Sequence, residues 1–224
     1  MKKYAIILAG GEGRRMGGSV PKQFLDLCGK PVLRHTIERF LEYDPSMRII
    51  VVIPSVHKEY WQRYCDETLF IESYIMPSGG MTRFHSVQNG LAYVPDGALV
   101  AVHDGVRPLI TPEFIGSLFD EASRSGAAIP VLPPVESLRR KLPDGSSEAV
   151  DRSLYVAVQT PQVFRSEILK AAYSQPYSTS FTDDASVAEA CGQKISLCEG
   201  RRENIKITTP EDLAFARVLM SNPR

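Results

Sequence analysis

Net charge is the first property that this sequence lacks. Its 224 residues contain 26 lysines and arginines and 26 aspartates and glutamates, so the formal net charge at pH 7 is zero. A chain without net charge creates no overall field that attracts nucleic acid or an anionic membrane surface. We therefore expect neither a nucleic-acid partner nor a membrane partner. Any bound anion has to meet positive charge that is gathered at one place.

Metal-binding signatures and long apolar runs are lacking as well. The four cysteines show no C-x-x-C spacing and the four histidines are scattered, so no zinc-ligand cluster is visible. The opening MKKYAIILAGG has too short an apolar run for a signal peptide. Nowhere do about 18 apolar residues follow one another, as a membrane-spanning helix requires. We expect a cytoplasmic protein with reduced thiols.

Short apolar runs alternate with helical patterns along the chain. The runs are rich in valine and isoleucine, which is typical of strands buried on both faces of a parallel sheet. They occupy residues 4–8, 48–53, 98–102 and 127–132. Two helical stretches, TPEFIGSLFDEA and TPEDLAFARVLM, begin with threonine as N-cap and proline at the first helical position. The alternation predicts one doubly wound α/β domain over residues 1–224.

One segment interrupts this alternation. Residues 134–153 form two polar stretches around the turn signal PDG. The pattern predicts a β-ribbon inserted into the connections of the sheet, and a surface loop is the alternative. Because a lone two-stranded ribbon is marginally stable in water, we expect this arm to lean on another subunit.

The first strand runs into the loop LAGGEGRRMGGSVPKQF, which combines glycine with positive charge. Met16 replaces the third glycine of G-x-G-x-x-G, and Lys22 follows proline, so neither the dinucleotide fingerprint nor the P-loop is present. Backbone N–H groups freed by glycine cradle phosphate oxygens, and arginine and lysine neutralise them. The loop predicts a triphosphate site. Its predicted residues are Ala9, Gly10, Gly11, Gly13, Arg14, Arg15 and Lys22.

Two further stretches place polar residues near strand ends. Asp104 and Arg107 in VHDGVRP follow the strand at 98–102. An aspartate there is able to hold Mg²⁺ or a hydroxyl, and the alternative is a simple Asp-Gly turn. In PSGGMTRFHSV, Gly80 precedes a predicted helix and Ser86 lies within it, and the alternative is a simple loop followed by the first turn of a helix. Both stretches therefore fit the same crevice as the glycine loop.

One more stretch and two histidines are candidate functional residues. Thr182 in SFTDDASV is predicted to cap a helix that has two acids in its first turn. His85 and His103 have no nucleophile pattern nearby, so we interpret both as packing or hydrogen-bonding residues.

Six stretches in series resemble one known family. They are LAGGEGRRMGGSVPKQF, SGGMTRFHSV, VHDGVRP, VDRSLYVAVQTPQVF, TDDAS and EGRRENIKITTPEDL, in this order from about residue 6 to 215. Together they resemble the 2-C-methyl-D-erythritol 4-phosphate cytidylyltransferases. The resemblance implies a Rossmann-like nucleotidyltransferase fold of the α/β class. Its largely parallel twisted sheet is flanked by helices, and residues 134–153 are a protruding dimerisation arm.

The resemblance also implies an activity. In the implied reaction, 2-C-methyl-D-erythritol 4-phosphate joins the α-phosphate of CTP and pyrophosphate leaves. Mg²⁺ accompanies CTP as the cofactor. This is a step of the non-mevalonate isoprenoid pathway. Ribitol-5-phosphate cytidylyltransferases share the glycine loop and NIKITTP, so this activity stays open as an alternative. A non-catalytic nucleotide-binding protein on the same fold is another.

Residue roles follow from the resemblance, position by position. Arg15 and Lys22 match residues that stabilise the transition state, and Arg152 and Lys206 match residues that position the sugar phosphate. Gly80 and Ser86 match groups that read the cytosine, and Asp104 matches a nucleotide contact and is also the metal ligand to test. The positions that match substrate contacts in the pocket are Arg107, Ser137, Thr160 and Thr182. The family forms a homodimer with exchanged arms, so the arginine of VDR and the threonine of QTP would enter the neighbour's site.

Three positions depart from the family pattern. Glu136-Ser137 stands where Asp-Thr is frequent, Met81 stands where an acid often follows the second glycine pair, and HDGVRP has histidine for the commoner alanine. None of these removes a charge that the chemistry needs. A rival class, the Rossmann-type NAD(P) enzymes, needs an acid at the end of the next strand, and RIIVVIPS has none.

Overall fold

A computed structural model describes residues 1–11, 20–70 and 72–221. The helices in these ranges are α1 (Val32–Tyr43), α2 (Ser55–Glu67), α3 (Arg83–Leu91), α4 (Pro112–Ser125), α5 (Ser166–Tyr173), α6 (Asp184–Glu189) and α7 (Pro210–Ser221). The strands are β1 (Lys2–Leu8), β2 (Asp26–Leu27), β3 (Lys30–Pro31), β4 (Arg48–Val52), β5 (Tyr74–Ile75), β6 (Ala98–Asp104), β7 (Ala127–Leu132), β8 (Arg139–Lys141), β9 (Ser147–Ala149), β10 (Ala157–Val158), β11 (Gln162–Arg165) and β12 (Ser196–Glu199).

Most of these strands form one central sheet. Its order is β10-β7-β11-β6-β1-β4-β5, with β12 also paired to β7. Strands β6, β1, β4 and β5 run parallel, and the four apolar runs of the sequence fall in β1, β4, β6 and β7. β11 is antiparallel to both of its neighbours, β6 and β7. The sheet is therefore largely parallel, as predicted, with an antiparallel return.

Apolar side chains are buried on both faces of this sheet. Along β1, Ala5 and Ile7 pack in one cluster with α1, α2 and α4, whereas Ile6 packs in another with α3, α5 and α6. Successive side chains of a strand point to opposite faces, so a continuous apolar run fits a sheet covered by helices on both sides. The longest helix in the described ranges, α4, has 14 residues, and none of those helices is suited to crossing a bilayer.

The arm at residues 134–153 contains a short β-ribbon. β8 and β9 pair antiparallel, and the turn between them is the predicted PDG. Gly145 has a φ of 86°, and the Asp144 carboxylate accepts a hydrogen bond from the Ser146 N–H at 2.9 Å. Only glycine adopts such a φ without strain. The ribbon prediction is confirmed over the loop alternative.

Candidate active site

The carboxyl ends of parallel strands meet at one edge of the sheet and form a cleft. The register aligns Leu8 at the end of β1 with Val52 of β4 and with Asp104 of β6. Beyond the strands, the Ala9 N–H donates to the Val52 carbonyl at 2.8 Å, and the Gly105 N–H donates to the Leu8 carbonyl at 2.9 Å. The cleft has a volume of about 430 Å³. Open α/β sheets bind ligands at this edge, as the sequence predicts.

One wall of the cleft is formed by the start of the glycine loop and by the P-K-Q triplet, residues 21–23. Ala9, Gly10, Gly11 and Lys22 all line the cleft. A Cβ at Gly11 would lie 3.0 Å from Cε of Lys22, so a larger residue at position 11 would crowd the lysine. The buried Gln23 donates from Nε2 to the Ala9 carbonyl at 2.8 Å and ties the triplet to the end of β1.

The rest of the predicted triphosphate loop lies outside the described residues. This applies to Gly13, Arg14 and Arg15, whose contacts with the nucleotide stay predictions. The described residues on either side of that segment reach the cleft at Gly11 and Lys22.

A second wall is the loop before α3. The Gly80 N–H donates to the Ser86 hydroxyl at 3.0 Å, and that hydroxyl donates to the Thr82 carbonyl at 3.0 Å. A Cβ at Gly80 would lie 2.4 Å from Cβ of His85, so this position requires glycine because the loop packs directly on α3. Gly80 and Ser86, both predicted for nucleotide binding, line the cleft. Ser86 also holds the loop in shape.

The floor of the cleft carries a cluster of charges around Asp104. Its Oδ2 accepts from Nζ of Lys206 at 3.0 Å and from Nε of Arg107 at 3.2 Å. Burial opposes ionisation of Asp104, but the positive charges of Lys206, Arg83 and Arg107 outweigh it and hold the pKa of this carboxyl well below its usual range. Lys206 lines the cleft, whereas Arg107 is turned away to the Asn204 carbonyl at 2.8 Å.

Similarity to known proteins covers almost the whole chain. A family model described as IspD, 2-C-methyl-D-erythritol 4-phosphate cytidylyltransferase, matches residues 4–222. The chain belongs to this family. A relative of that name from Bacteroides thetaiotaomicron is 52% identical over 220 residues, which are 98% of this chain and 100% of the relative. Another from Porphyromonas gingivalis is 53% identical over 222 residues, 99% of both chains.

Solved structures of cytidylyltransferases share the architecture. A 4-diphosphocytidyl-2C-methyl-D-erythritol synthase from Anaerococcus prevotii superposes with a TM-score of 0.83 at 25% identity and covers 99% of both chains. The cytidylyltransferase from Thermus thermophilus gives 0.79 at 29% identity, over 99% of this chain and all of that one. The predicted fold and the predicted class of enzyme, a nucleotidyltransferase, are confirmed. The ribitol phosphate alternative is not favoured.

Thr160 and His103 of this cytidylyltransferase lie beneath Asp104 at the floor of the cleft. The Asp104 N–H donates to Oγ1 of Thr160 at 3.1 Å, and that hydroxyl lies 3.1 Å from Nδ1 of His103. Nε2 of His103 lies 3.2 Å from the Arg107 carbonyl. With the proton on Nε2, His103 donates to the Arg107 carbonyl and its Nδ1 accepts from the Thr160 hydroxyl, so each group in this series of hydrogen bonds has a partner. His103 is thus a hydrogen-bonding residue, as interpreted, and the structure does not bring Thr160 into this chain's cleft.

The buried His103 predicts a loss of stability in mild acid. Burial lowers its pKa to about 4, whereas an unfolded histidine titrates near 6.5. The unfolded chain therefore binds more protons between those values, and the free energy of unfolding should fall by about 3 kcal/mol as the pH falls through the window. Urea denaturation of the parent and of His103→Gln at several pH values measures this, and the variant should show a flatter dependence.

A second buried histidine, His35, also contributes to the pH dependence of stability. Burial also lowers the pKa of His35, which adds to the slope of both proteins. An equal slope for His103→Gln and the parent would contradict the assignment.

The arm residues predicted for the sugar phosphate lie away from this chain's own cleft. Arg152 is exposed, at the start of a 3₁₀ turn that Asp151 caps, and its guanidinium donates to the Val135 carbonyl. Ser137 is also exposed. Neither residue lines the cleft of the same chain, so the role of both stays a prediction that depends on a second subunit.

The predicted helix cap at Thr182 is wrong. α6 begins one residue later, with Asp183 as N-cap: its carboxylate accepts from the Ser186 N–H at 2.9 Å, and the Ser186 hydroxyl accepts from the Asp183 N–H at 3.2 Å. An aspartate caps as well as a threonine, and the reciprocal pair with Ser186 decides the position. Thr182 itself is exposed, and its role in the substrate pocket stays a prediction.

The second acid of TDDAS has a function that sequence analysis missed. Asp184 is fully buried and accepts from both terminal nitrogens of Arg83, at 2.8 and 2.6 Å, and from the Tyr173 hydroxyl at 2.6 Å. Arg83 is the first residue of α3 and lines the cleft, so this pair joins α6 to the start of α3. The sequence contains both residues in motifs of interest, but no local pattern pairs residues 101 positions apart.

Proposed function

We propose that this enzyme joins 2-C-methyl-D-erythritol 4-phosphate to the α-phosphate of CTP and releases pyrophosphate in the cleft described above. The observation that carries the proposal is that the family match runs from residue 4 to 222 of a chain whose cleft presents Lys22 and Lys206. These cations approach one space from the glycine loop and from the floor. A reaction between two phosphates needs positive charge on both sides of the reacting centre.

The chemistry requires cations rather than a general base. The second pKa of a phosphomonoester is about 6, so the nucleophile is already an anion near neutral pH. We propose that Arg15 and Lys22 stabilise the charge that develops on the triphosphate. Lys206 and the Arg152 of a second subunit would hold the incoming sugar phosphate in line. No histidine lines the cleft among its described residues, which agrees with this division of work.

Nucleotide recognition would use the two walls of the cleft. Ala9, Gly10 and Gly11 would meet the phosphates with backbone N–H groups. The loop around Gly80 and the hydroxyl of Ser86 would read the edge of the cytosine.

Asp104 fits a magnesium ion that travels with CTP. Within the described ranges no group of three or more histidine, cysteine or acidic residues is assembled, so a site made of protein ligands alone is not present there. Mg²⁺ usually binds through one or two carboxylates plus substrate phosphates, and Asp104 is an ionised carboxylate on the cleft. Bound there, the ion would neutralise phosphate charge.

We also propose a cytoplasmic homodimer with exchanged arms. Three large apolar side chains next to the arm, Leu154, Tyr155 and Val156, are 78, 48 and 45% exposed in the single chain, and a partner would cover them. All four cysteines are free thiols, as in a reducing compartment. In such a dimer, Arg152 and Ser137, and Thr160 if it moved, would act in the neighbour's cleft together with Arg107 and Thr182.

Replacing Arg152 by alanine should impair use of the sugar phosphate and spare CTP. Loss of a charged hydrogen-bonding group predicts a fall in kcat/KM for methylerythritol phosphate of about 10- to 100-fold. Calorimetry should find CTP affinity unchanged. Arg140→Ala, on the same arm, is the control and should resemble the parent. A collapse of CTP affinity in Arg152→Ala would instead place this arginine on the nucleotide side.

Mixing two variants of strongly lowered activity tests arm exchange directly. A subunit with Lys22→Ala and intact Arg152 is combined with a subunit that has Arg152→Ala and intact Lys22. If arms exchange, one of the two clefts in the mixed dimer has both residues, and activity should reappear on mixing. If Arg152 acts in its own chain, every cleft lacks one residue and the activity of the mixture is no higher than the mean of the two variants.

The proposed function is tested by pyrophosphate release from the purified protein with Mg²⁺. CTP, UTP, ATP and GTP are each offered with methylerythritol phosphate and with ribitol phosphate. We expect release with CTP and methylerythritol phosphate. A preference for ribitol phosphate would keep the mechanism and change the substrate, whereas no release with any pair would favour a nucleotide-binding protein.

A further inference from the structure

The two most exposed large apolar side chains in the described part of the protein line the same cleft. Met81, in the loop before α3, is 91% exposed, and Val56, in the first turn of α2, is 81% exposed. Both contribute to the lining of the active-site cleft. Single exposed apolar residues are ordinary on a protein surface, but apolar residues gathered at one concave place mark a ligand surface.

The backbone that carries these two side chains is fixed before any ligand binds. The Ser55 hydroxyl donates to the Ser78 hydroxyl at 3.1 Å and joins the start of α2 to the loop before α3. The Gly79 N–H donates to the Ile53 carbonyl at 2.9 Å, which joins the same loop to the end of β4. Because these elements are tied together, a ligand that contacts Met81 and Val56 has to order their side-chain rotamers and not the backbone that carries them.

The described lining of the cleft has polar groups that suit the edges of a nucleotide base, but it has no aromatic side chain that would stack on the faces of the base. Phenylalanine, tyrosine, tryptophan and histidine are all missing from the described residues that line it. Proteins commonly cover base faces with aromatic side chains. A methionine thioether also makes favourable contacts with aromatic rings, and the valine side chain is wholly apolar.

From these observations we propose that Met81 and Val56 hold the cytosine ring of CTP between them. The inference rests on the proposed function and adds two contacts to it. The side chains of Met81 and Val56 offer apolar contact at this place in the cleft. Base affinity in this enzyme therefore depends on burying two side chains that are open to water in the free protein.

The test separates binding of the base from binding of the phosphates. Calorimetry compares the parent, Met81→Ala and Val56→Ala with two ligands, CTP and inorganic tripolyphosphate, which lacks a base. Removing part of an apolar contact in a pocket is worth about tenfold or more, so CTP affinity should fall about tenfold in each variant. Affinity for tripolyphosphate should not change. Met81→Leu, which keeps most of the apolar volume, should restore CTP affinity.

A matched control and an independent signal make the result decisive. Val218, on α7, is 60% exposed and does not line the cleft, so Val218→Ala should leave both affinities unchanged. In protein with ¹³C-labelled methionine methyl groups, CTP should shift the Met81 resonance through the ring current, and tripolyphosphate should not. The Met81→Leu spectrum identifies that resonance among the six methionines.

Three outcomes would overturn the proposal. Unchanged CTP affinity in Met81→Ala and Val56→Ala would show that the ring does not touch them. An equal loss of affinity for CTP and tripolyphosphate would show that they only shape the walls of the cleft. A parent protein that neither binds CTP nor releases pyrophosphate would overturn the proposed function as well, whereas an active parent matched by its variants overturns this inference alone.

Discussion

Lys22→Ala is expected to lower kcat for pyrophosphate release by about 10²–10³, with a much smaller change in the KM for CTP. Lys22 lines the cleft beside Gly11. In the proposed reaction it would face charge that increases as the bond to pyrophosphate breaks. An interaction that strengthens in the transition state appears in kcat, whereas one that is equal in substrate and transition state appears in KM. Steady-state kinetics at saturating sugar phosphate separates the two.

The controls for Lys22 concern charge and position. Lys22→Arg keeps the charge with a different shape and should retain more activity than the alanine variant. Lys194→Ala removes an exposed lysine in the connection between α6 and β12 and should match the parent. If kcat of Lys22→Ala were unchanged and only the KM for CTP rose, Lys22 would be a simple binding residue and its proposed catalytic role would be refuted.

Arg83→Leu should destabilise the fold more than any other single substitution considered for this protein. Asp184 is fully buried, and the substitution removes two of the donors to its carboxylate. A buried charge that loses its partner typically lowers the free energy of unfolding by about 3–5 kcal/mol. Urea denaturation monitored by circular dichroism measures the loss. The double variant Arg83→Leu/Asp184→Leu should recover part of it, because no buried charge is then left unpaired.

The chain provides an exposed ion pair as the matched control. Arg63 and Glu59 of α2 form a pair at 3.1 Å with side chains 68 and 87% exposed. Arg63→Leu should change the free energy of unfolding by no more than about 1 kcal/mol, because water already solvates both charges. If Arg83→Leu were no more destabilising than Arg63→Leu, the carboxylate of Asp184 would not be a buried charge in the folded protein.

Features that local chemistry determines could be predicted from the sequence. The apolar runs became β1, β4, β6 and β7, and the threonine-proline pairs start α4 and α7. The turn of the arm follows from PDG. In each case the signal lies within a few neighbouring residues, where apolar periodicity and turn propensity act.

Features that depend on distant partners could not be predicted in the same way. β11 has only four residues, QVFR, and its antiparallel place between β6 and β7 is set by the return of the arm to the sheet. The resemblance brought Asp104 and Lys206 to the same site, but their ion pair appears only in three dimensions. Thr160 lies in a matched motif, yet its hydroxyl is occupied beneath the floor.

The arm leaves the sheet and returns to it at the same point. Leu132 at the end of β7 pairs with Ala157 of β10, and Val131 pairs with Val158. In topological terms, residues 133–156 are the tip of one long hairpin whose base is fixed. Because this base is closed by strand pairing, a change in the length or surface of the tip leaves the register of the strands that end at the cleft unchanged. In the dimer proposed above, the same tip carries Arg152, so a redesign of the tip has to keep this arginine for the neighbour's cleft.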